Sequence, residues 1–536
     1  MKPFSKPFGQ SLTGVPLFFV TILGCAAGFL LFGYDQGIAN ALTQSPDFQK
    51  TFPSMFDNDS LKGAVLAMFT SETELDDAQC YSTEQLELCW ARRSKLAAGT
   101  SPVRIFLLAA QNEAKFLNLF PSVFIVARLI NGYAVGILTS ITPVYVAEIS
   151  KASIRGMMMS LELVFAATGL MTSFWITYAF SGNTSPFGWR FPLGIQVILI
   201  LITLFSLLFA PESPRWLIEV GRVDEGLNIL ERFHGQEYAD AALLEIKEAI
   251  SLEHATAVNG YKAAFANNSQ AFRYRTGLSI AVNFFQQATG INMATYYAGT
   301  IFIVAIKLAP HEASLALGGL GISGLVACAF GCFVLMEKFG RVRTMMLGAF
   351  LNCVGMCLLA GGIANIETKK SAAYAAAAGL YLFIMSFSMT WLPCGWIYGA
   401  EVSALAVRNQ ASALGNAVQY LFNFLIVEVT PVGISSIGWK FYIPFAISNA
   451  AMIPLLYFFF PEMLVLYFDN IRKSSLTYAF VSAGLSLEGI DSLFANGKVT
   501  MRRSPRAPIE HSLAEISHYA EKNEVEKDSY VENASV

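Results

Sequence analysis

Residues 15–41 read VPLFFVTILGCAAGFLLFGYDQGIANA, with a single charged side chain, Asp35. A helix needs about 20 mostly apolar residues to cross a bilayer, and this run supplies them. Nine more such stretches lie near 122–149, 157–181, 188–210, 275–306, 313–336, 343–366, 373–401, 411–432 and 439–461. Inside a bilayer the backbone must satisfy its own hydrogen bonds, which leaves only helices and closed barrels. Long unbroken apolar runs select helices. The composition agrees: 14% of residues are charged, where a soluble domain carries roughly a quarter. An all-α, multi-pass membrane protein is expected, with the lipid bilayer as its solvent.

Other classes find little support. A net charge of −3 gives no argument for nucleic acid. Among the eight cysteines, Cys328 with Cys332 and Cys353 with Cys357 share helix faces inside apolar spans. There a cysteine acts as a small hydrophobe. No His or carboxylate accompanies either pair, so no metal site is expected. No nucleophile–base pair stands out, so the chain reads as a non-enzyme without a cofactor.

Lys and Arg place the loops, because cytoplasmic loops of membrane proteins are enriched in both. Lys151 and Arg155 follow one span, Arg215 and Arg222 another, and Lys338, Arg341 and Arg343 lie between two more. These loops are expected in the cytosol, with both termini. Residues 1–14 form an N-terminal tail, and the span after it is too long for a signal-peptide core. A first bundle is expected over 15–210. Residues 211–274 show helical periodicity among polar residues and read as amphipathic helices beside the membrane. A second bundle covers 275–462, and 484–536 is a polar cytoplasmic tail. Asn58 and Asn183 begin N-x-S/T triplets on the opposite side, as glycosylation acceptors.

The chain repeats itself. YVAEISKASIRG begins at Tyr145 and YGAEVSALAVRN at Tyr398, so Glu148 and Arg155 recur as Glu401 and Arg408. Two related bundles with a ligand between them are a common plan of secondary transporters.

Two constellations carry chemistry. Asp35 sits inside a span, where an ionisable group is expensive and is by default a functional candidate. QQATGIN, residues 286–292, places Gln286, Gln287 and Asn292 in an apolar run. Amides donate and accept, which suits a neutral polyhydroxylated ligand. They also glue helices together. Thr289-Gly290 can loosen the helix and expose backbone to a cavity. Trp396, with Trp391 and Pro393, offers an aromatic wall for the C–H face of a sugar ring, or simply core packing.

At these residues the chain resembles the sugar porter family of the major facilitator superfamily, most of all its fungal branch. PESPRWL (211–217) resembles the signature after the sixth helix, and QQATGIN the seventh-helix sugar motif. ARLINGYAVGILTSITPVYVAEISKASIRG, from Ala127, is similar to the fourth helix and its loop, and EKFGRVRTMMLGA to the loop between helices eight and nine. The resemblance implies a two-bundle fold of nominally 12 transmembrane helices, alternating access around a central sugar. It implies that Gln286, Gln287, Asn292 and Trp396 hold the sugar, while Phe32 and Tyr297 line the cavity. It implies a proton-coupling pair, Asp35 with Arg128, for which a permanent structural ion pair is the alternative. Glu148, Arg155, Glu212, Arg215, Arg341, Glu401 and Arg408 would form cytoplasmic gating networks. Gly132 and Gly136 are spaced for close helix packing.

The chain also departs from the family. A fifth-helix Gln falls at Leu163, with Glu162 beside it, and an eighth-helix Asn falls at Leu325. Glu162 invites a cationic or proton-linked reading, or a paired or outward carboxylate. Helices two and three are poorly represented in 71–120, where the chain reads TSETELDDAQCYSTEQLELCWARR from Thr70. An atypical insertion, 463–483, separates PE from GLSLEGID. Foreign text between family-like text is what an unspliced intron leaves behind, and real divergence is the alternative. The resulting expectation is a monomeric, plasma-membrane transporter of a hexose-like monosaccharide working by proton symport. The alternatives are a non-transporting sugar sensor, or a transporter of a sugar acid, polyol, disaccharide or quinate.

Overall fold

A computed structural model describes residues 12–51, 132, 136, 138, 139, 141–151, 154–181, 183, 185–256, 261–266 and 271–461. Arg128, Asn58, the atypical 71–120 and 463–483 segments, the 484–536 tail and most of the N-terminal tail lie outside these residues. The described residues are helical and include seven apolar segments long enough to span a membrane. The last of these, Gln410–Phe459, contains two of the spans expected from the sequence.

Among the described residues, the first bundle contains three long helices: α1 (Gly14–Gln44), α2 (Arg155–Phe180) and α3 (Phe187–Phe209). Helix α1 packs on both of the others. Its contact with α2 is made close by glycine. A Cβ on Gly33 would lie 1.8 Å from the Ala166 carbonyl oxygen, and one on Gly169 would lie 2.0 Å from that of Leu30. Each glycine therefore lets the other helix's backbone approach, the small-residue packing that membranes favour. Gly169→Val is expected to lower stability by about 1–3 kcal/mol through overpacking, read as an earlier thermal midpoint of the detergent-solubilised protein. Gly194→Ala is the control, since a Cβ there meets nothing within 4 Å. An unchanged Gly169→Val midpoint would refute the close approach.

Where α3 ends, the PESPRWL stretch turns the chain along the membrane surface. Ser213 caps α4 (Pro214–Glu219) by accepting from Trp216 N at 3.2 Å, with Pro214 at the first helical position. Amphipathic α5 (Val223–His234) buries Ile229, Leu230 and Phe233, and α6 (Gln236–Thr256) packs beside it. Trp216, Ile229 and Phe233 join Leu17, Tyr145 and Ile149 in one apolar cluster, which fastens these helices under the first bundle. His234 Nε2 lies 2.8 Å from the Ile149 carbonyl. Burial holds its pKa below the ordinary histidine value, and Lys151 acts in the same direction against that hydrogen bond.

The second bundle comprises α7 (Phe272–Ala288), α8 (Ile291–Tyr296), α9 (Pro310–Phe330), α10 (Arg341–Ala364), α11 (Ser371–Met389), α12 (Trp391–Val402), α13 (Arg408–Ile437) and α14 (Ile443–Phe459). Helix α7 packs on α12 and α13, and α10 on α11 and α14. The bundles meet where α2 packs on α9 and α1 on α8.

The sequence repeat recurs as geometry. Tyr145 donates to the Pro211 carbonyl at 2.7 Å, and Tyr398 to the Pro461 carbonyl at 3.2 Å. In each half, the tyrosine that opens the repeated motif is tied to the proline that ends the bundle.

Candidate functional site

A cavity of about 130 Å³ lies between the bundles. Its second-bundle wall is built around the interruption between α7 and α8. Gly290 adopts φ +92°, and a Cβ there would meet the Phe445 ring at 2.8 Å. The turn frees two carbonyls from the helical ladder, and α14 satisfies both. Ser448 Oγ donates to Ala288 O at 2.6 Å, and Asn449 Nδ2 to Thr289 O at 3.0 Å. Broken helices are tolerated at membrane depth on this condition, that neighbours take up the freed backbone groups.

The break turns the amides inward. Gln286, Gln287 and Asn292 are all buried and all line the cavity. Asn292 Nδ2 donates to Gln287 Oε1, which orients that pair. Gln286 lies across Gly395, its Nε2 3.4 Å from the Trp391 carbonyl. Among the described residues, Gln286 Oε1 has no hydrogen-bond partner, nor has Asn423 Oδ1. These two atoms flank the same cavity. Trp396 and Phe32 line it too, whereas Trp391 is fully buried behind the wall.

Tyr297 is a correction. It was expected to line the cavity, but it is 1% exposed and donates to the Val427 carbonyl at 2.9 Å. Pro431 explains this, because a proline inside α13 has no N–H to give the carbonyl four residues earlier, which is Val427. The tyrosine supplies that missing donor, and Tyr296 faces the cavity instead.

Sequence reasoning missed Gln36, Thr295, Ser388, Gln419, Tyr420 and Asn423, all of which line the cavity. Gln419 and Asn423 were visible as two amides one helical turn apart in an apolar run, the same signal that marked Gln286. Across from this polar wall, the first bundle presents Phe32, Leu163, Ala166, Ala167, Leu170 and Phe174, with Gln36 as its polar member. Leu163 and Leu325 face the cavity at the two positions where the family resemblance implies amides. Glu162 is buried and does not line it.

Asp35 lies on α1 between the cavity-facing Phe32 and Gln36, on the side toward α3. Gln196 Nε2 donates to Asp35 Oδ1 at 2.6 Å, and Gln196 is fully buried. One residue earlier, Tyr34 donates to the Pro192 carbonyl at 2.7 Å. Two side chains thus fix this turn of α1 against α3.

At the end of the molecule beside α4, Glu148 accepts from Ser213 Oγ, and Arg341 Nη2 lies 2.8 Å from Glu401 Oε1. Glu212, Arg215 and Arg408 are also engaged in interactions. Arg155 is exposed at the start of α2 and forms no ion pair among the described residues. Asn183 sits in the turn between α2 and α3, where its Oδ1 accepts from Ser185 N at 2.9 Å.

The family described as "Sugar (and other) transporter" matches residues 96–474. Sugar transporter STL1 of Saccharomyces cerevisiae is 30% identical over 99% of this chain and 92% of its own length. The high-affinity fructose transporter ght6 of Schizosaccharomyces pombe is 28% identical, over 87% of each. The fold resembles a partially occluded, inward-open structure of the xylose transporter XylE from E. coli, with TM-score 0.66 and 22% identity, covering 83% of this chain and all of that one. A structure of the proton:xylose symporter XylE bound to 6-bromo-6-deoxy-D-glucose matches with TM-score 0.66 at 21% identity, covering 84% and 97%.

Proposed function

The chain belongs to the sugar porter family of the major facilitator superfamily, and from that premise we propose that it carries a monosaccharide inward across the plasma membrane together with protons. It is an integral, multi-pass membrane transporter and not an enzyme. The observation that carries the substrate reading is the wall of buried amides, two of them with an unpartnered oxygen, facing an otherwise apolar surface. Hydroxyl groups supply the donors those oxygens lack, and the C–H face of a sugar ring suits Phe32 and Trp396.

The lining narrows the class. No Lys or Arg among the described residues lines the cavity, and burying a carboxylate without a countercharge is expensive, which favours a neutral sugar over a sugar acid or quinate. The volume also lies below the roughly 300–1,000 Å³ of drug-sized sites, which favours one ring over two. For proton coupling, the supporting observation is Asp35, held against α3 by Gln196 next to the cavity turn. Arg128 is proposed as its countercharge, and Glu148, Arg341 and Glu401 as parts of the cytoplasmic gate. The chain is proposed to act as a monomer, with Asn58 and Asn183 as glycan acceptors.

The test is uptake of labelled glucose by this chain in cells lacking hexose uptake, with external pH recorded. Uptake with external alkalinisation is the expected result. Absence of uptake of glucose and other labelled monosaccharides, with the protein at the surface, would overturn the reading. Within it, Gln287→Ala is expected to raise KM about tenfold, since it removes a ligand hydrogen bond and frees Asn292. A KM unchanged for every transported sugar would remove Gln287 from the site.

A further inference from the structure

The geometry points to a second binding site on this chain, a lipid site on the outer face of the second bundle that takes one anionic phospholipid of the cytoplasmic leaflet. A groove of about 520 Å³ runs between α7 and α14, away from the sugar cavity. Its α7 wall is a stripe of residues four apart: Arg273, Gly277, Ala281 and Phe285. The facing wall is Leu455 and Phe459, which are 38% and 43% exposed. From Arg273 to Phe285 the stripe spans about 18 Å at the helical rise, comparable to one leaflet's share of the ~30 Å hydrocarbon core.

Both ends of the groove are fixed. Near one end, Tyr274 donates to the Phe459 carbonyl at 2.5 Å, and at the other Ser448 and Asn449 hold the α7 break. The space between is therefore a stable gap in the packing. Gly277 sharpens the point. Glycine within a helix is roughly 1 kcal/mol less favourable than alanine, yet a Cβ at this position would meet nothing within 4 Å. No described protein atom fills the space beside this glycine, which leaves room for an acyl chain to lie against the helix backbone.

The charge lies at the correct end. Arg275 Nε donates to the Val402 carbonyl at 2.7 Å, next in sequence to Glu401, which pairs with Arg341. The start of α7 thus lies on the face that the Lys- and Arg-rich loops mark as cytoplasmic. That leaflet carries the anionic lipids. Arg273 is exposed at the groove mouth, and its guanidinium has no hydrogen-bond or ion-pair partner among the described residues. A guanidinium over an apolar groove recognises a phosphate with a hydrocarbon tail, in preference to a zwitterionic headgroup.

The site can be tested without measuring transport. The full-length protein, delipidated in detergent, would be titrated with phosphatidylserine, phosphatidylcholine and inorganic phosphate, and read by native mass spectrometry and thermal midpoint. One phosphatidylserine is expected to bind about fivefold more tightly than phosphatidylcholine. Arg273→Ala should erase that preference and Arg273→Lys should keep most of it. Gly277→Leu, which fills open space and favours the helix, should lose both lipids without lowering the lipid-free midpoint. Equal binding of the two lipids, or phosphatidylserine retained by Arg273→Ala or Gly277→Leu, would overturn the site. So would full protection by inorganic phosphate, which would leave an anion site with no role for the tail.

Discussion

With Asn in place of Asp35, uptake against a gradient is expected to vanish while exchange of labelled for unlabelled sugar continues. Asparagine keeps the shape and an acceptor oxygen, so the 2.6 Å hydrogen bond from Gln196 can persist. It cannot take up a proton. Moving one charge through 100 mV is worth about 2.3 kcal/mol, so a coupled carrier can hold roughly a 50-fold sugar gradient for each 100 mV. An uncoupled carrier holds none. The accumulation ratio in the variant should therefore fall to about one, with counterflow exchange intact as evidence of a folded, working cavity. Normal concentrative uptake by Asp35→Asn would move the coupling elsewhere in the molecule.

Gly290→Val is expected to lose both uptake and stability. The position has φ +92°, a region that costs a non-glycine residue about 1–2 kcal/mol and a β-branched one more. Its Cβ would also enter the Phe445 ring at 2.8 Å. Adding overpacking of about 1–3 kcal/mol, the loss is roughly 2–5 kcal/mol, a large part of a typical folding free energy. If the chain relieves the strain by straightening the turn, Gln287 and Asn292 rotate out of register and sugar affinity falls. Gly290→Ala should give a smaller drop along the same line. Wild-type uptake and midpoint in Gly290→Val would show that the α7–α8 break plays no part in building the site.

The helices were legible because a membrane span is written into the sequence as a continuous apolar run, and the described runs fold as expected. The amides of 286–292 were legible because polar side chains stand out against such a run. By the same logic Gln419 and Asn423 were available, and lacked only a familiar neighbourhood to draw notice. Tyr297 could not be read correctly. Which of Tyr296 and Tyr297 faces the cavity depends on the turn at Gly290 and on a carbonyl orphaned by Pro431, more than a hundred residues away. The repeated motif preserves residue types, and it places its glutamate at a side-chain contact in each half. In the second half the repeated glutamate finds Arg341, while in the first it finds Ser213.

The unequal walls of the cavity, as far as the described residues line it, imply a division of labour in the proposed transport cycle. Apart from Gln36, every polar lining residue among those described belongs to the second bundle. Under the proposed alternating access, a sugar held by that bundle keeps most of its hydrogen bonds while the first bundle moves across it, since among the described first-bundle lining residues only Gln36 is polar. The rocking motion then meets little friction from the cargo itself. Selectivity and mobility can change independently: substitutions in one bundle retune what is carried, and substitutions in the other retune how fast the passage turns over.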